Sequence, residues 1–263
     1  MENRDTQTRA RQRLKDVLET PDPSGGLWAA VDDGYFTVWF PEVVQMRMEQ
    51  DPIHKHKDVL THTIAVTAKT PPIFRVRLGA LLHDVGKPAT RRIGPDGVTF
   101  RHHEAVGARL TLQRLADMGF DQQFVDDVAQ IVDLSGRFKG YEHGWSDSAV
   151  RRYARDAGPL LGDLNTLVRC DCTSRNPRKS ENIGLHMDDL ERRIRELAVA
   201  DAAARERPPL SGDDIMALLD VAPGRHIGQV LGALLAHHRA DGPLDATEAE
   251  AFVRQWWATN VTA

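Results

Sequence analysis

The sequence predicts an all-α protein. Ala, Leu, Arg and Asp are abundant, while aromatic residues make up only 6% of the 263 positions. Apolar residues recur at helical spacing through nearly every long segment. Gly, Pro, Ser and Asp interrupt those segments where helices start and stop. A chain of this length can bury a proper core as one large or two small domains.

In chain order, residues 57–69 (KDVLTHTIAVTAK) place Val59, Ile64 and Val66 close to one helix face, with His62 beside them. Pro71-Pro72 is expected to open the next helix, since proline is tolerated in a first turn. That helix reads IFRVRLGALLHD and should stop at Gly86 and Pro88. RRIGPDGVTF carries β-leaning residues around Gly-Pro-Asp-Gly, a signal for one short hairpin or ordered loop near residues 91–100. Residues 103–118 and 121–134 read as amphipathic helices separated by Gly119. Ser146 or Asp147 can cap a helix carrying Val150, Tyr153 and Ala154, and residues 159–173 and 180–200 continue the pattern. Ser211 stands three residues before Asp214, a capping arrangement for DDIMALLD. Pro223-Gly224 precedes HIGQVLGALLAHHRAD, and a last helix holds Trp256 and Trp257. The expected organisation is an N-terminal helical segment (1–50), a central domain (51–178) and a C-terminal helical region (179–263).

The formal charge of −4 argues against a protein that coats nucleic acid through bulk electrostatics. Local basic clusters exist at Arg91-Arg92, at Arg151-Arg152 with Arg155, and from Arg175 to Lys179. The first residues, MENRDTQTRARQRLKD, lack the apolar core of a secretory signal, and no stretch approaches the ~20 apolar residues that span a bilayer. A cytoplasmic protein without membrane contact is expected. Cys170 and Cys172, the two cysteines, are too close for an ordinary disulfide framework and read as buried small apolar side chains.

The pentapeptide His83-Asp84-Val85-Gly86-Lys87 carries the chemistry. Neutral imidazole beside carboxylate is half of a site for a divalent transition metal. The β-branched and apolar neighbours of His62, one helix upstream, predict that it faces the same core, where a hydrogen-bonded core histidine is the plainer alternative to a ligand. A fourth ligand should come from a helix packing across these two. Asp171 suits, because an unpaired carboxylate in DLNTLVRCDCTSRN would be costly to bury. An ion pair of Asp171 with Arg169 or Arg175 is the plainer reading, and Asp133 in QIVDLSG is the rival ligand.

The order His … His-Asp … Asp resembles the HD superfamily of metal-dependent phosphohydrolases. DPIHKHKDVLTHT, ALLHDVGKPATRR, GVTFRHHEAVGARLT, SDSAVRRYARDAGPLL, DCTSRNPRK and SGDDIMALLDVAPGRHIGQV further resemble successive blocks of bacterial tRNA nucleotidyltransferases (CCA-adding enzymes) of the actinobacterial type, from about residue 12 to residue 258. In that family a nucleotidyltransferase head with a Gly-Ser pair and a paired-Asp motif precedes this region. No Gly-Ser followed by Asp-x-Asp stands in this sequence, so nucleotide addition is not expected of this polypeptide alone.

The resemblance implies an HD-domain helical bundle with flanking N- and C-terminal helices. It implies metal ligation by His62, His83, Asp84 and Asp171, and catalytic roles for Asp84, Lys87 and His103. Asp84 would also orient the nucleophile, Lys87 would bind a phosphate oxygen, and His103 would protonate the leaving group. Arg109, Arg152 and Arg175 are further candidates for substrate phosphates, because guanidinium matches phosphate geometry. Where the family usually has histidines, Ser135 and Lys139 stand here, which favours one metal over two. The implied cofactor is one divalent ion (Mn, Co, Ni, Fe or Zn, with Mg admissible) on mixed N/O ligands. The implied activity is phosphohydrolysis of a nucleotide, a cyclic phosphate or an RNA 3′ end. The alternative is a tRNA-binding module without chemistry, or the partner of a separately encoded head. An oxygenase with a dinuclear iron centre is disfavoured by Ser135.

Overall fold

In a computed structural model, residues 2–48, 58–94, 97–172, 177–205, 207–242 and 244–261 are described. Helices dominate, and the one sheet among these residues is a two-stranded hairpin. The chain is all-α, as its composition and periodicity predict. It divides into two compact units, Met1–Ile194 and Arg195–Ala263.

The first unit starts with α1 (Glu2–Leu18), α2 (Ser24–Asp32), α3 (Tyr35–Trp39) and α4 (Pro41–Gln45). Their apolar faces supply Leu14, Leu18, Leu27, Phe36, Phe40 and Val43 to the main core. α5 (Val59–Lys69) begins where the Asp58 side chain accepts a hydrogen bond from Thr61 N at 2.9 Å, which satisfies a free amide of the first turn. Both sides of α5 are covered: Leu60 and Ile64 enter the main core, whereas Val66 joins Ala80, Ile131, Leu160 and Leu167 in a second cluster.

α6 (Phe74–Leu82) lies against α5 and is buried from Val76 onward. Pro71 and Pro72 do not form its first turn. They precede it, in a turn closed by Ile73 N donating to Pro71 O at 2.6 Å, and the helix starts after extended Ile73. The helix also ends earlier than the sequence suggested, at Leu82. Residues 83–86 form a turn, and Pro88 lies in the first turn of the short α7 (Lys87–Thr90). The hairpin follows as β1 (Arg92–Gly94) and β2 (Gly97–Thr99), antiparallel with Ile93 opposite Val98; Pro95 and Asp96 lie outside the described residues.

α8 (His103–Asp117) and α9 (Gln122–Leu134) form an antiparallel pair around Gly119, whose φ of 73° permits the left-handed turn. α10 (Asp147–Ala157) is capped by Ser146, whose Oγ accepts from Ala149 N at 3.3 Å. α11 (Leu161–Cys170) packs on α5 and α6 and delivers the chain to Asp171. α12 (Pro177–Arg205) runs across the division between the units. The second unit also holds α13 (Gly212–Leu219), α14 (Arg225–Asp241) and α15 (Ala246–Asn260) around Ile215, Val230, Leu234 and Val253. Capping boxes open α13 (Ser211 with Asp214) and α15 (Asp245 with Glu248). No helix among the described residues is long and apolar enough to cross a membrane.

Candidate metal centre

Four elements of the first unit meet at the pentapeptide. His62 comes from the first turns of α5, His83 and Asp84 from the turn after α6, His103 from the start of α8, and Asp171 from the end of α11. The donor atoms of His62, His83 and Asp171 all lie within 4.8 Å of one another. His62 Nε2 is 3.0 Å from Asp171 Oδ1, and His83 Nε2 is 3.4 Å from the same oxygen. Asp84 stands outside that trio but beside it, its Oδ2 3.3 Å from His83 Nε2 and 3.8 Å from His62 Nε2. Two contacts flanking Asp171 tie its segment to α5. Lys69 Nζ donates to Cys172 O at 2.6 Å, and Cys170 Sγ donates to Lys69 O at 3.5 Å.

The imidazoles are oriented from behind. His83 Nδ1 donates to Ala80 O at 2.7 Å, which leaves Nε2 facing the carboxylates. His103 Nδ1 likewise donates to Phe100 O at 2.7 Å, and its Nε2 lies 3.5 Å from Asp84 Oδ1. Lys87 is buried and donates to Asp84 Oδ2 at 2.7 Å, with its ammonium 5.6 Å from the centre of the Phe100 ring. Gly86 permits this crowding. A Cβ at that position would stand 2.1 Å from His103 O and 2.7 Å from Gly107 N, so the turn and the start of α8 touch through backbone.

The electrostatics test whether a cation fits. Burial disfavours a charged imidazole at His83, yet the Asp84 and Asp171 carboxylates outweigh it and push its pKa up to about 10. Burial also works against the Asp84 carboxylate, but His83, His103 and Lys87 hold it well below the usual carboxylate range. Asp171, opposed by burial in the same way, is held down by hydrogen bonds from His62 and His83. Two ionised carboxylates thus face the Lys87 ammonium and a proton on His83, whose Nε2 carries the lone pair a metal would use. The donor set of imidazole nitrogen and carboxylate oxygen suits a borderline divalent ion. HD domains bind divalent metals, and these residues fit one.

Arg109 and Arg152 are exposed on α8 and α10, and Arg175 lies outside the described residues. Asp133 is exposed on α9, and Arg169 pairs with Asp188 and Glu191 rather than with Asp171. A cleft of about 370 Å³ opens beside Asp84, lined by Lys87, Phe100, Arg101, His102, His103, Glu104 and Lys139. Neither Arg109 nor Arg152 is among its lining residues. Phe100, Arg101 and Glu104 escaped the sequence reading as site residues, although they adjoin His103 in GVTFRHHE. Glu104 Oε2 is 3.2 Å from His103 Nδ1, and its Oε1 is 3.3 Å from Lys139 Nζ.

Two relatives resemble nearly the whole chain. An A-adding tRNA nucleotidyltransferase of Deinococcus radiodurans is 32% identical over 94% of it. A CC-adding tRNA nucleotidyltransferase of Thermus thermophilus is 30% identical over 94% of it. The chain spans 58% and 57% of the lengths of these relatives. The family model described as "HD domain" matches residues 59–220, a span that contains His62, His83, Asp84, His103 and Asp171. That match covers more than half of the sequence, and the chain therefore belongs to the HD-domain family.

Proposed function

We propose that this chain is a metal-dependent phosphohydrolase or phosphodiesterase acting on a nucleotide, a cyclic phosphate or an RNA 3′ end. The observation that carries the reading is the convergence of His62, His83 and Asp171 within 4.8 Å, with buried Asp84 alongside. His62, His83, Asp84 and Asp171 would hold one divalent ion of the Mn, Co, Ni, Fe or Zn type. When bound, such an ion neutralises charge on a phosphoryl oxygen and makes water a better nucleophile.

The surrounding side chains suit the remaining tasks. Asp84 keeps its carboxylate ionised in a nearly dry site and orients water by accepting its proton in a hydrogen bond. Lys87 spends one of its three donors on Asp84 and has others for a non-bridging phosphate oxygen. As the oxygen of water bonds to phosphorus, one of its protons passes to the Asp84 carboxylate; as the bond to the leaving oxygen breaks, His103 gives its Nε2 proton to that oxygen. Phe100 O holds the other ring nitrogen and so aims Nε2 into the site. The names of both relatives, tRNA nucleotidyltransferases, favour an RNA end as the substrate.

The test is metal analysis of the purified protein, followed by assays on phosphodiester and nucleotide substrates with and without Mn, Co and Ni. Metal-dependent turnover is expected, with Asp84→Ala lowering it by about a thousandfold. The relatives' names also favour a second reading, an RNA-binding module without chemistry. Metal-free, inactive protein with salt-sensitive tRNA binding would establish that reading instead.

A further inference from the structure

We infer that the cleft beside Asp84 binds one nucleotide unit, with its phosphate on Arg101 and Lys139 and its base against Phe100. The inference rests on the hydrolase reading for its place in a reaction, but not for the binding itself. At about 370 Å³ the cleft lies at the small end of ligand pockets, suited to one nucleotide and not to a duplex.

Its wall has the required chemistry. Arg101 is exposed, has no ion-pair partner among the described residues, and offers the planar donor fork that matches phosphate. Lys139 gives at most one of its three donors to Glu104 and keeps the rest for a ligand. Phe100 lines the cleft with Lys87 Nζ 5.6 Å from its ring centre, and an aromatic ring is a surface on which any base can stack. Glu104 is the acidic side chain of this wall, faced by Lys139 and His103, and a carboxylate there accepts well from ribose hydroxyls.

Position links the cleft to the metal centre. Lys87 and His103 belong to both, at 2.7 and 3.5 Å from the Asp84 carboxylate. A nucleotide seated on Arg101 and Lys139 is therefore one side chain away from Asp84. Substrates carrying a nucleotide next to the scissile phosphate gain binding that a simple monoester lacks.

The experiment titrates AMP and, separately, inorganic phosphate into the full chain in metal-free buffer, followed by calorimetry. AMP is expected to bind more tightly than inorganic phosphate. The Arg101→Ala/Lys139→Ala double variant should weaken both ligands by at least about tenfold. Phe100→Leu should weaken AMP by at least about fivefold and leave inorganic phosphate unchanged, which separates base stacking from bare anion binding. Arg109→Ala and Arg152→Ala should bind AMP like the parent protein. The inference is overturned if the parent protein binds no AMP, if the double variant binds it undiminished, or if Arg152→Ala causes an equal loss. Without metal present, failure here leaves the hydrolase reading standing, and failure of metal binding or turnover leaves this result intact.

Discussion

Two buried polar sites in the first unit solve the same physical problem in opposite ways. Arg77, on α6, is 1% exposed, and its guanidinium is enclosed by carbonyl oxygens. It donates to Thr70 O at 2.8 Å, Leu18 O at 2.6 Å and Pro21 O at 3.1 Å, and also to Thr20 O. These oxygens include Leu18 O, in the last turn of α1, and Thr70 O, just beyond the end of α5, where backbone acceptors lack helical partners. The site is close to saturated: four carbonyls take four of the five guanidinium N–H groups, and the nearby Asp22 carboxylate adds opposite charge. Just beyond the end of the same helix, His83 and Asp84 meet His62 and Asp171 in a cluster that, even with Lys87 beside it, reaches balance by taking up a proton. Saturation marks a structural site. A charge left to be supplied from outside marks a functional one.

Breaking the structural site should have the largest effect on stability. Arg77→Met should lower the free energy of unfolding by about 3 kcal/mol, because several buried carbonyls lose a charged donor at once. Urea denaturation measures this, and metal affinity of the folded variant should be unchanged. A loss below about 1 kcal/mol would mean that water reaches these carbonyls and that the contrast is false.

Gly86→Ala strikes the backbone contact beside the candidate metal centre. The new methyl group meets the backbone of His103 and Gly107 rather than a flexible side chain, so α8 must move. A cost of about 2 kcal/mol is expected. Metal affinity should fall together with stability, since Asp84 and His103 are spaced by this contact. A variant with unchanged stability and unchanged metal affinity would show that the close approach positions nothing.

The smallest effect is one of pH, and it sharpens the comparison most. In metal-free protein, Asp84 and Asp171 have depressed pKa values, so their contribution to stability is present above about pH 4 and is lost as pH falls below it. His83, raised to about 10, contributes fully below its unfolded value of about 6.5 and less as pH rises towards 10. Metal and proton compete for His83 Nε2. The rise in Tm on adding Mn should therefore grow between pH 6.5 and 8, while the Tm of metal-free protein declines. Thermal melts at several pH values, with and without Mn, check both slopes. A metal-induced shift that shrinks over this range would remove His83 from the ligand set.

Much of this was legible in the residues. Helix starts at Ser146 and Ser211 follow from capping chemistry that acts over three residues. The hairpin at Arg92–Thr99 follows from its turn residues. His62 lies on α5 and His83 just past the end of the adjacent α6, so their meeting could be expected from local order. Asp171 was legible because a carboxylate in an apolar segment needs a partner. Arg77 was not. A charged residue in a helix reads as a solvent-facing position, and its partners are backbone oxygens of a distant segment that carry no residue-specific signal. The cleft was equally hidden, because Lys139 meets Glu104 through a loop whose path no periodicity specifies. The bounds of α6 shifted for a local reason, since the chain turns at Pro71 and Ile73 before any helical hydrogen bond can form.

The end of α6 sets more than the position of a histidine. Ala80 O belongs to the last turn of this helix, and it accepts from His83 Nδ1. A helix prolonged through Asp84 would direct the Asp84 amide at the same oxygen. The imidazole would then share its acceptor with a backbone amide, and the bond that selects its tautomer would weaken. Helix length and histidine tautomer are therefore coupled here. A substitution of Val85 or Gly86 that extended the helix is expected to lower metal affinity without changing any of the proposed ligands.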